Sequence, residues 1–198
     1  MQIPGLSNQY RESFNSSHPK NCACSNDFMG VMSAASKQID KQEYGDVLGL
    51  TMINEPGTDI FWGAKAKYAS CSTDEDPVIY VETNYGGKTV AYNVNINEVD
   101  PSNASYLEMF ALCSYADDIG IGDNSTFGTY STLRSFENMA KHNGYFEAQT
   151  DDISGLEQFK NEKLNWISMS KSVVDLLYKC KDFIQYRKGL DILDMFNR

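Results

Sequence analysis

The spacing of apolar residues changes near residue 100, from the alternation typical of β-strands to the three-and-four spacing typical of helices. Before that point four segments predict strands, and the short turns between them favour an antiparallel meander. The clearest alternation places Trp62, Ala64 and Ala66 on one face of a strand, with Lys65 and Lys67 on the other. The predicted strands cover residues 47–53, 60–68, 78–83 and 89–97.

The last two predicted strands form a hairpin around Asn84-Tyr85-Gly86-Gly87. Glycine readily adopts the positive φ angles that a two-residue hairpin turn requires. A turn at Gly86 and Gly87 also fixes which residues face each other, and it collects the apolar side chains on one side of the hairpin. The predicted pairs are Val81 with Tyr92, Ile79 with Val94, and Thr83 with Val90.

After residue 103 the chain is predicted to be helical, and the first helix, over residues 104–116, is apolar on nearly all sides. A helix of this kind is usually buried between other elements. We therefore expect it to join the sheet to the later helices. Leu107, Phe110 and Leu112 should be among the most buried residues.

Further helices are predicted in the rest of the chain. Ser125 or Thr126 can cap a second helix that ends at His142. Apolar residues over 156–184 recur at three-and-four spacing and predict the longest helix, and Lys188-Gly189 is expected to break it. The apolar tail at 190–196 can pack on its own domain, which we favour, or on a partner helix.

These patterns predict an α+β fold, in which a four-stranded antiparallel meander at about 47–97 packs on a C-terminal helical half at about 103–196. Residues 1–26 are rich in Asn, Ser and Gln and predict a flexible arm. A short helix should follow the arm, because one apolar stripe runs through Phe28, Val31, Met32, Ala35 and Ile39. The chain is thus divided into an arm at 1–26 and a single α+β domain at 27–198.

The arm also bears on localisation. It lacks the basic and apolar regions of a secretory signal, and no run of about 18 apolar residues could span a membrane. We therefore expect a cytoplasmic protein. However, Ile3, Leu6, Tyr10 and Phe14 recur at helical spacing in this polar arm, a pattern similar to the N-termini of flagellar or type III secreted proteins. That resemblance implies leaderless secretion as the alternative.

Charge narrows the classes of partner. The formal net charge is -10 and the pI is about 4.6. Nucleic-acid binding needs a basic face that releases counterions, so we expect no nucleic-acid partner. We also expect no membrane insertion, and a monomer or weak homodimer. The basic residues are scattered, apart from a modest cluster formed by Lys179, Lys181, Arg187 and Lys188.

The five cysteines have no regular spacing and do not predict a disulfide framework. Cys113 and Cys180 fall on apolar helix faces, where a free cysteine behaves as a small hydrophobic residue. This usage is typical of a reducing compartment. Cys22 and Cys24 lie near His18, but a zinc site needs four ligands, and the fourth would have to come from Cys71 or His142.

No catalytic residue and no cofactor are predicted. A nucleophilic pair of Cys71 or Cys113 with His142 is conceivable, but no known nucleophile signature surrounds either cysteine. The glycines at 86–87 and 120–122 do not lie between a strand and a helix with the spacing of a phosphate-binding loop. A nucleotide cofactor is therefore not supported.

Asp117, Asp118 and Asp123 are the candidate metal ligands. They do not fit an EF-hand, because glycines occupy positions 3 and 5 of a loop that starts at Asp118. Ordinary capping of the two neighbouring helices explains the same residues. A nonstandard cation site, or a small carboxylate-based enzyme using this loop, is the alternative function. The acidic turn at 74–76 is interpreted as an exposed turn first and a cation site second.

The polar side of the hairpin is the candidate partner-binding surface. Tyrosine and asparagine side chains provide rigid contact area and adaptable hydrogen bonds. A solvated sheet surface explains the same composition. Our hypothesis is a non-enzymatic protein that acts through contacts with a partner protein, with leaderless export as an extension. The candidate residues are Tyr80, Glu82, Tyr85, Asn93 and Asn95.

Overall fold

Four antiparallel strands form the sheet, side by side in the order in which they occur along the chain. They are β1 (Gly49–Asn54), β2 (Phe61–Tyr68), β3 (Val78–Tyr85) and β4 (Lys88–Asn95). The predicted meander is therefore confirmed. The computed structural model describes residues 47–54, 60–122, 128–145 and 155–197, so the predicted arm and the helix that should follow it lie outside the described residues.

The predicted register of the hairpin is also confirmed. Gly86 and Gly87 both have positive φ, at 57° and 74°, as a two-residue turn requires. The three predicted pairs, Val81 with Tyr92, Ile79 with Val94 and Thr83 with Val90, all occur. Local turn chemistry was sufficient to fix this part of the fold.

The inner face of the sheet packs on a helix, α1 (Tyr106–Asp118). Gly49 allows the close approach of β1, because a Cβ at this position would lie 2.2 Å from Ser114 Oγ of the helix. The buried residues of the inner face alternate along the strands as predicted. They include Trp62, Ala64, Ala66, Ile79, Val81 and Val94.

A capping box starts α1. The Ser105 backbone N–H donates to Glu108 Oε2 at 2.6 Å, and the Glu108 backbone N–H donates to Ser105 Oγ at 3.2 Å. Leu107 and Phe110 are buried as predicted. The prediction for Leu112 is wrong, since this side chain is only partly buried. Leu112 shares one stripe of the helix with Glu108 and Tyr115, and that stripe is the partly solvated one.

The prediction of one long helix over 156–184 is wrong, because the chain forms three helices in this region and beyond. They are α3 (Leu156–Asn161), α4 (Trp166–Lys179) and α5 (Phe183–Met195), and they follow α2 (Gly128–His142). The first break occurs where β6 (Lys163–Leu164) pairs with β5 (Ala104–Ser105), just before α1. Asn165 then caps α4, accepting a 2.8 Å hydrogen bond from the Ser168 backbone N–H.

The prediction that Lys188-Gly189 breaks a helix is wrong as well. Gly189 lies inside α5 and is buried. A Cβ on Gly189 would lie 2.5 Å from Val174 Cγ2 of α4 and 3.2 Å from the Phe136 ring of α2. The glycine therefore serves close helix packing, which outweighs its low helix propensity.

The helices pack in succession. α1 covers the sheet, α2 and α3 pack on α1, α4 packs on α2, and α5 packs on α4. Within the residues that the structure describes, no helix combines the length and the apolar character needed to cross a membrane.

The cysteines differ in part from the prediction. Cys113 is free and buried, as expected, and burial raises its pKa well above that of an ordinary thiol. Cys180 is free but exposed, because it follows the last residue of α4 and does not lie on an apolar face. Cys71 is disulfide-bonded, although the spacing of the cysteines does not predict a disulfide framework.

Candidate functional site

The outer face of the sheet, on the side opposite α1, carries four of the five predicted partner-binding residues. Tyr80 lies beside Asn93 on β4, and Glu82 lies beside Lys65 on β2. The Lys65 ammonium is 3.6 Å from the Glu82 carboxylate. Burial, and then the nearby Glu82 carboxylate, raises the pKa of Tyr80 above that of an ordinary tyrosine. This part of the face therefore presents one positive charge, one negative charge and neutral groups that form hydrogen bonds.

Asn95 and Tyr85 have other surroundings. Asn95 holds the β2–β3 loop, because its amide donates to Asp76 Oδ1 at 2.8 Å and its Oδ1 accepts from the Asn97 backbone N–H at 3.0 Å. The placement of Tyr85 on the polar side is wrong. β3 continues through Tyr85, and the two-residue alternation turns this side chain to the inner face. There its ring packs edge-to-face on Trp62, with centroids 5.8 Å apart.

Three large apolar side chains extend the outer face toward β1. Leu50, Met52 and Phe61 are 71%, 76% and 66% exposed, and we call them the apolar strip. Leu50 and Met52 are two residues apart on the edge strand, and Phe61 pairs with Asn54 at the end of the same strand. Met52 lies over Gly63, since its sulfur is 3.2 Å from the position of a Cβ there. The absence of a side chain at Gly63 makes the strip flat.

The apolar strip was missed in the sequence because the segment at 47–53 is an almost continuous apolar run. Such a run is typical of a strand buried on both faces. The available signal was its parity relative to β2. Thr51 and Ile53 pair with the inward residues Ala64 and Trp62, which leaves the alternate positions of β1 on the outer face.

The candidate metal ligands Asp117 and Asp118 have structural roles and face different partners. Both Asp117 carboxylate oxygens accept hydrogen bonds from Thr129, one from its hydroxyl and one, at 2.9 Å, from its backbone N–H. A carboxylate at this place stabilises the N-terminus of α2. Asp118 Oδ2 accepts the Tyr68 hydroxyl at 2.8 Å.

The described residues contain no group of three or more His, Cys, Asp or Glu side chains that could hold a metal ion. Asp123 lies outside the described residues, as do Ser125 and Thr126, the predicted caps of α2. The structure therefore brings no carboxylate cluster together from the part of this loop that it describes.

A cleft of about 200 Å³ lies between the end of β1 and α2. This volume is below the roughly 300–1,000 Å³ that is usual for small-molecule sites. The Tyr130 hydroxyl, which belongs to a cleft-lining residue, is buried and has no hydrogen-bond partner among the described residues. A single such hydroxyl does not define a ligand. The cleft thus gives no support to a small-molecule substrate.

A buried cluster of charged side chains, centred on Glu137, joins α1 and α2 and was not among the predicted sites. Glu137 is fully buried, and its carboxylate accepts the Tyr106 hydroxyl at 2.6 Å. The Lys141 ammonium is 2.8 Å from the same carboxylate, and Arg134 forms an ion pair with it. The Arg134 guanidinium also lies over the Tyr106 ring, 4.8 Å from its centroid. The signal in the sequence was the i,i+3 and i,i+4 spacing of the two cations around the acid.

Two buried tyrosines should make the protein sensitive to alkaline pH. Burial is the main cause that raises the pKa of Tyr106 and of Tyr130, and the Glu137 carboxylate adds to the shift at Tyr106. A tyrosine in the unfolded chain ionises near pH 10, so above that pH the unfolded chain has lost protons that the folded chain retains. The stability is therefore complete below about pH 10 and decreases above it, by up to about 1.4 kcal/mol per pH unit for each tyrosine.

Urea unfolding at pH values between about 9 and 11 measures this decrease. Tyr106→Phe should make the decrease shallower, because it removes one of the buried hydroxyls that keep their protons in the folded chain. Tyr145→Phe is the control, since Tyr145 is exposed, and it should retain the wild-type slope. Equal slopes for all three proteins would contradict the assignment to buried tyrosines.

The geometry of the described residues thus consists of one open sheet face with an apolar strip, a structural pair of aspartates and a small cleft. Comparison with protein-family models, with curated proteins and with solved structures gives no match.

Proposed function

We propose that the chain is a non-enzymatic protein that binds a partner protein through the outer face of its sheet. The apolar strip supports this proposal more than any other observation. Monomeric proteins seldom expose contiguous apolar side chains of this size, and such patches often mark interaction sites. Leu50, Met52 and Phe61 lie together on one flat face at the edge of the sheet. The first two belong to the edge strand β1, and Phe61 begins β2.

The neighbouring polar residues support the same function. An interface typically has an apolar centre and a polar rim. Here the apolar strip is bordered by the Lys65–Glu82 ion pair, with Tyr80 and Asn93 beyond it on the next strands. The tyrosine and the asparagine extend the contact area with groups that form hydrogen bonds at a low cost in conformational entropy. The partner is expected to present an apolar centre of its own.

The chain is proposed to work as a monomer or weak homodimer, without a nucleic-acid partner and without insertion into a membrane. Export without a cleaved signal is an extension of this proposal. The disulfide at Cys71 supports it, because disulfides persist mainly in oxidising compartments. A cytoplasmic location is the alternative.

The experiment that tests the proposal is affinity capture from the native host with the full chain as bait. The test variant carries Leu50→Thr, Met52→Thr and Phe61→Thr, which removes the apolar strip and keeps residues that favour strands. We expect the captured amount of a specific partner to fall by more than tenfold, because central contacts contribute about 2 kcal/mol or more each. The free energy of unfolding should change little, since all three side chains are exposed.

The matched control carries Tyr145→Thr and Leu190→Thr, which removes exposed apolar side chains that lie outside the sheet. It should capture the same partner as the wild type. Equal capture by the wild type and the strip variant would overturn the proposal, and so would the absence of any specific partner. Equal losses in the strip variant and in the control would indicate non-specific adhesion.

A further inference from the structure

The turn between α4 and α5 is a second exposed apolar surface, unrelated to the sheet. Seven consecutive residues, from Tyr178 to Ile184, are exposed. Tyr178, Phe183 and Ile184 are each more than half exposed. The Tyr178 ring contacts Phe183 and Tyr186, with centroid distances of 6.4 and 5.5 Å. The turn thus presents an aromatic and aliphatic cluster to the solvent.

Basic residues surround this cluster in a chain that is otherwise acidic. Residues 178–188 contain four basic residues and one acidic residue, Asp182, for a formal charge of +3, whereas the whole chain has -10. We call this segment the basic tip. Its basic residues form the modest basic cluster in the sequence, which consists of Lys179, Lys181, Arg187 and Lys188.

The backbone at the centre of the basic tip has a conformation that disfavours lysine. Lys181 has a φ of 61°, the only positive value among the described residues other than glycine. Its N–H donates to the Tyr178 carbonyl, and the Asp182 N–H donates to the Leu177 carbonyl, which is the helix C-terminal motif that usually contains glycine at this place. A side chain in the left-handed region is strained, because its Cβ comes too close to the following carbonyl oxygen. Strain of this kind is often found at functional sites, so this lysine supports a role for the tip.

A surface of complementary charge lies where the β2–β3 loop meets the end of α1. Asp74, Glu75 and Asp76 are exposed in the β2–β3 loop. Asp118, at the end of α1, binds Tyr68, the last residue of β2. The β2–β3 loop follows Tyr68 directly, so this hydrogen bond brings Asp118 to the start of the loop that carries the other three carboxylates.

An exposed apolar side chain lies beside these carboxylates, just as exposed apolar side chains lie beside the basic residues of the tip. It belongs to Ile119, which follows Asp118 directly. We call Asp74, Glu75, Asp76, Asp118 and Ile119 the acidic end. Each of the two surfaces therefore combines one sign of charge with exposed apolar area.

We propose that two copies of the chain associate head to tail, with the basic tip of one copy on the acidic end of the next. The two surfaces are complementary in charge, and both contain apolar side chains that association removes from water. The contact is heterologous, so it leaves a basic tip and an acidic end available for further copies, and at high concentration association extends beyond the weak homodimer proposed above. Both surfaces are small, which is typical of weak and concentration-dependent association.

Sedimentation velocity of the full chain over a range of concentrations tests this inference. At low ionic strength the average mass should increase with concentration, and at about 0.5 M salt, where charges are screened within roughly 4 Å, the increase should disappear. Lys179→Glu with Arg187→Glu changes the formal charge of the tip from +3 to -1, and Asp74→Lys with Glu75→Lys changes that of the acidic end from -4 to 0. Each variant alone should associate at least tenfold more weakly than the wild type. An equimolar mixture of the two variants should regain association, because an intact tip then meets an intact acidic end.

The control is Lys88→Glu with Lys171→Glu. It makes the same change of charge as the tip variant, at exposed positions outside both surfaces. It should associate like the wild type. A wild type that stays monomeric at all concentrations in low salt would overturn the inference, as would a mixture that does not regain association. Co-sedimentation with phosphatidylcholine vesicles that contain phosphatidylserine covers the alternative occupant. Vesicle binding that requires the tip, without self-association, would assign the tip to an anionic lipid surface and overturn the inference.

Discussion

Glu137→Gln is expected to lower the free energy of unfolding by about 3 kcal/mol. The substitution keeps the shape of the side chain and removes its charge. The Lys141 and Arg134 side chains, which are largely buried, then lose the carboxylate between them. The Tyr106 hydroxyl also loses its charged acceptor. Removing one member of a buried ion pair is strongly destabilising, because the remaining charges stay in a poorly solvated place.

Urea unfolding of the full chain near neutral pH measures this effect. The matched control is Glu157→Gln, which neutralises an exposed glutamate that pairs with Lys160 at i,i+3. Exposed ion pairs contribute about 0–1 kcal/mol, so the control should change the stability very little. A similar loss in the free energy of unfolding for the two variants would show that burial does not determine how much the Glu137 cluster contributes to stability.

The hairpin and α1 were predictable because their signals are local. Gly86 and Gly87 supply the turn, and the turn alone determines the register of β3 and β4. The apolar character of α1 on nearly all sides predicts its burial without knowledge of its neighbours. In both cases the decisive residues are close together in the sequence.

The break between α3 and α4 was not predictable from periodicity, because its cause is distant in the sequence. Lys163 and Leu164 leave the helical conformation to pair with Ser105 and Ala104. The repeat of apolar residues continues across this pairing and hides it. Gly189 was misinterpreted for the same kind of reason, because its role depends on Val174 and Phe136 in other helices.

The candidate surface was predicted only in part. The parity of β3 and β4 gave Tyr80, Glu82, Asn93 and Asn95 on the outer face correctly. Tyr85 was assigned to the turn when it is the last residue of the strand, where parity directs it inward. The apolar strip could not be inferred from hydrophobicity, because exposed and buried apolar residues in β1 have the same character in sequence.

Phe110→Ala is expected to lower the free energy of unfolding by about 3–5 kcal/mol, the usual cost of truncating a buried phenylalanine. Phe110 connects three helices, since its ring centroid lies 5.2 Å from that of Tyr130 in α2 and 6.5 Å from that of Phe159 in α3. Phe159 in turn packs on Trp62 of the sheet, with centroids 5.3 Å apart. A cavity at this place would therefore remove packing contacts that link the sheet to two of the helices.

Leu112→Ala is the matched control, because it truncates a large apolar residue of the same helix, and its change in helix propensity is small beside the cost of a cavity. Leu112 lies on the partly solvated stripe of α1, so it loses less buried area and leaves no closed cavity. Its cost in urea unfolding should be less than half that of Phe110→Ala. Equal costs would mean that the stripe formed by Glu108, Leu112 and Tyr115 is covered in the full chain, and residues outside the described ranges would then have to pack on α1.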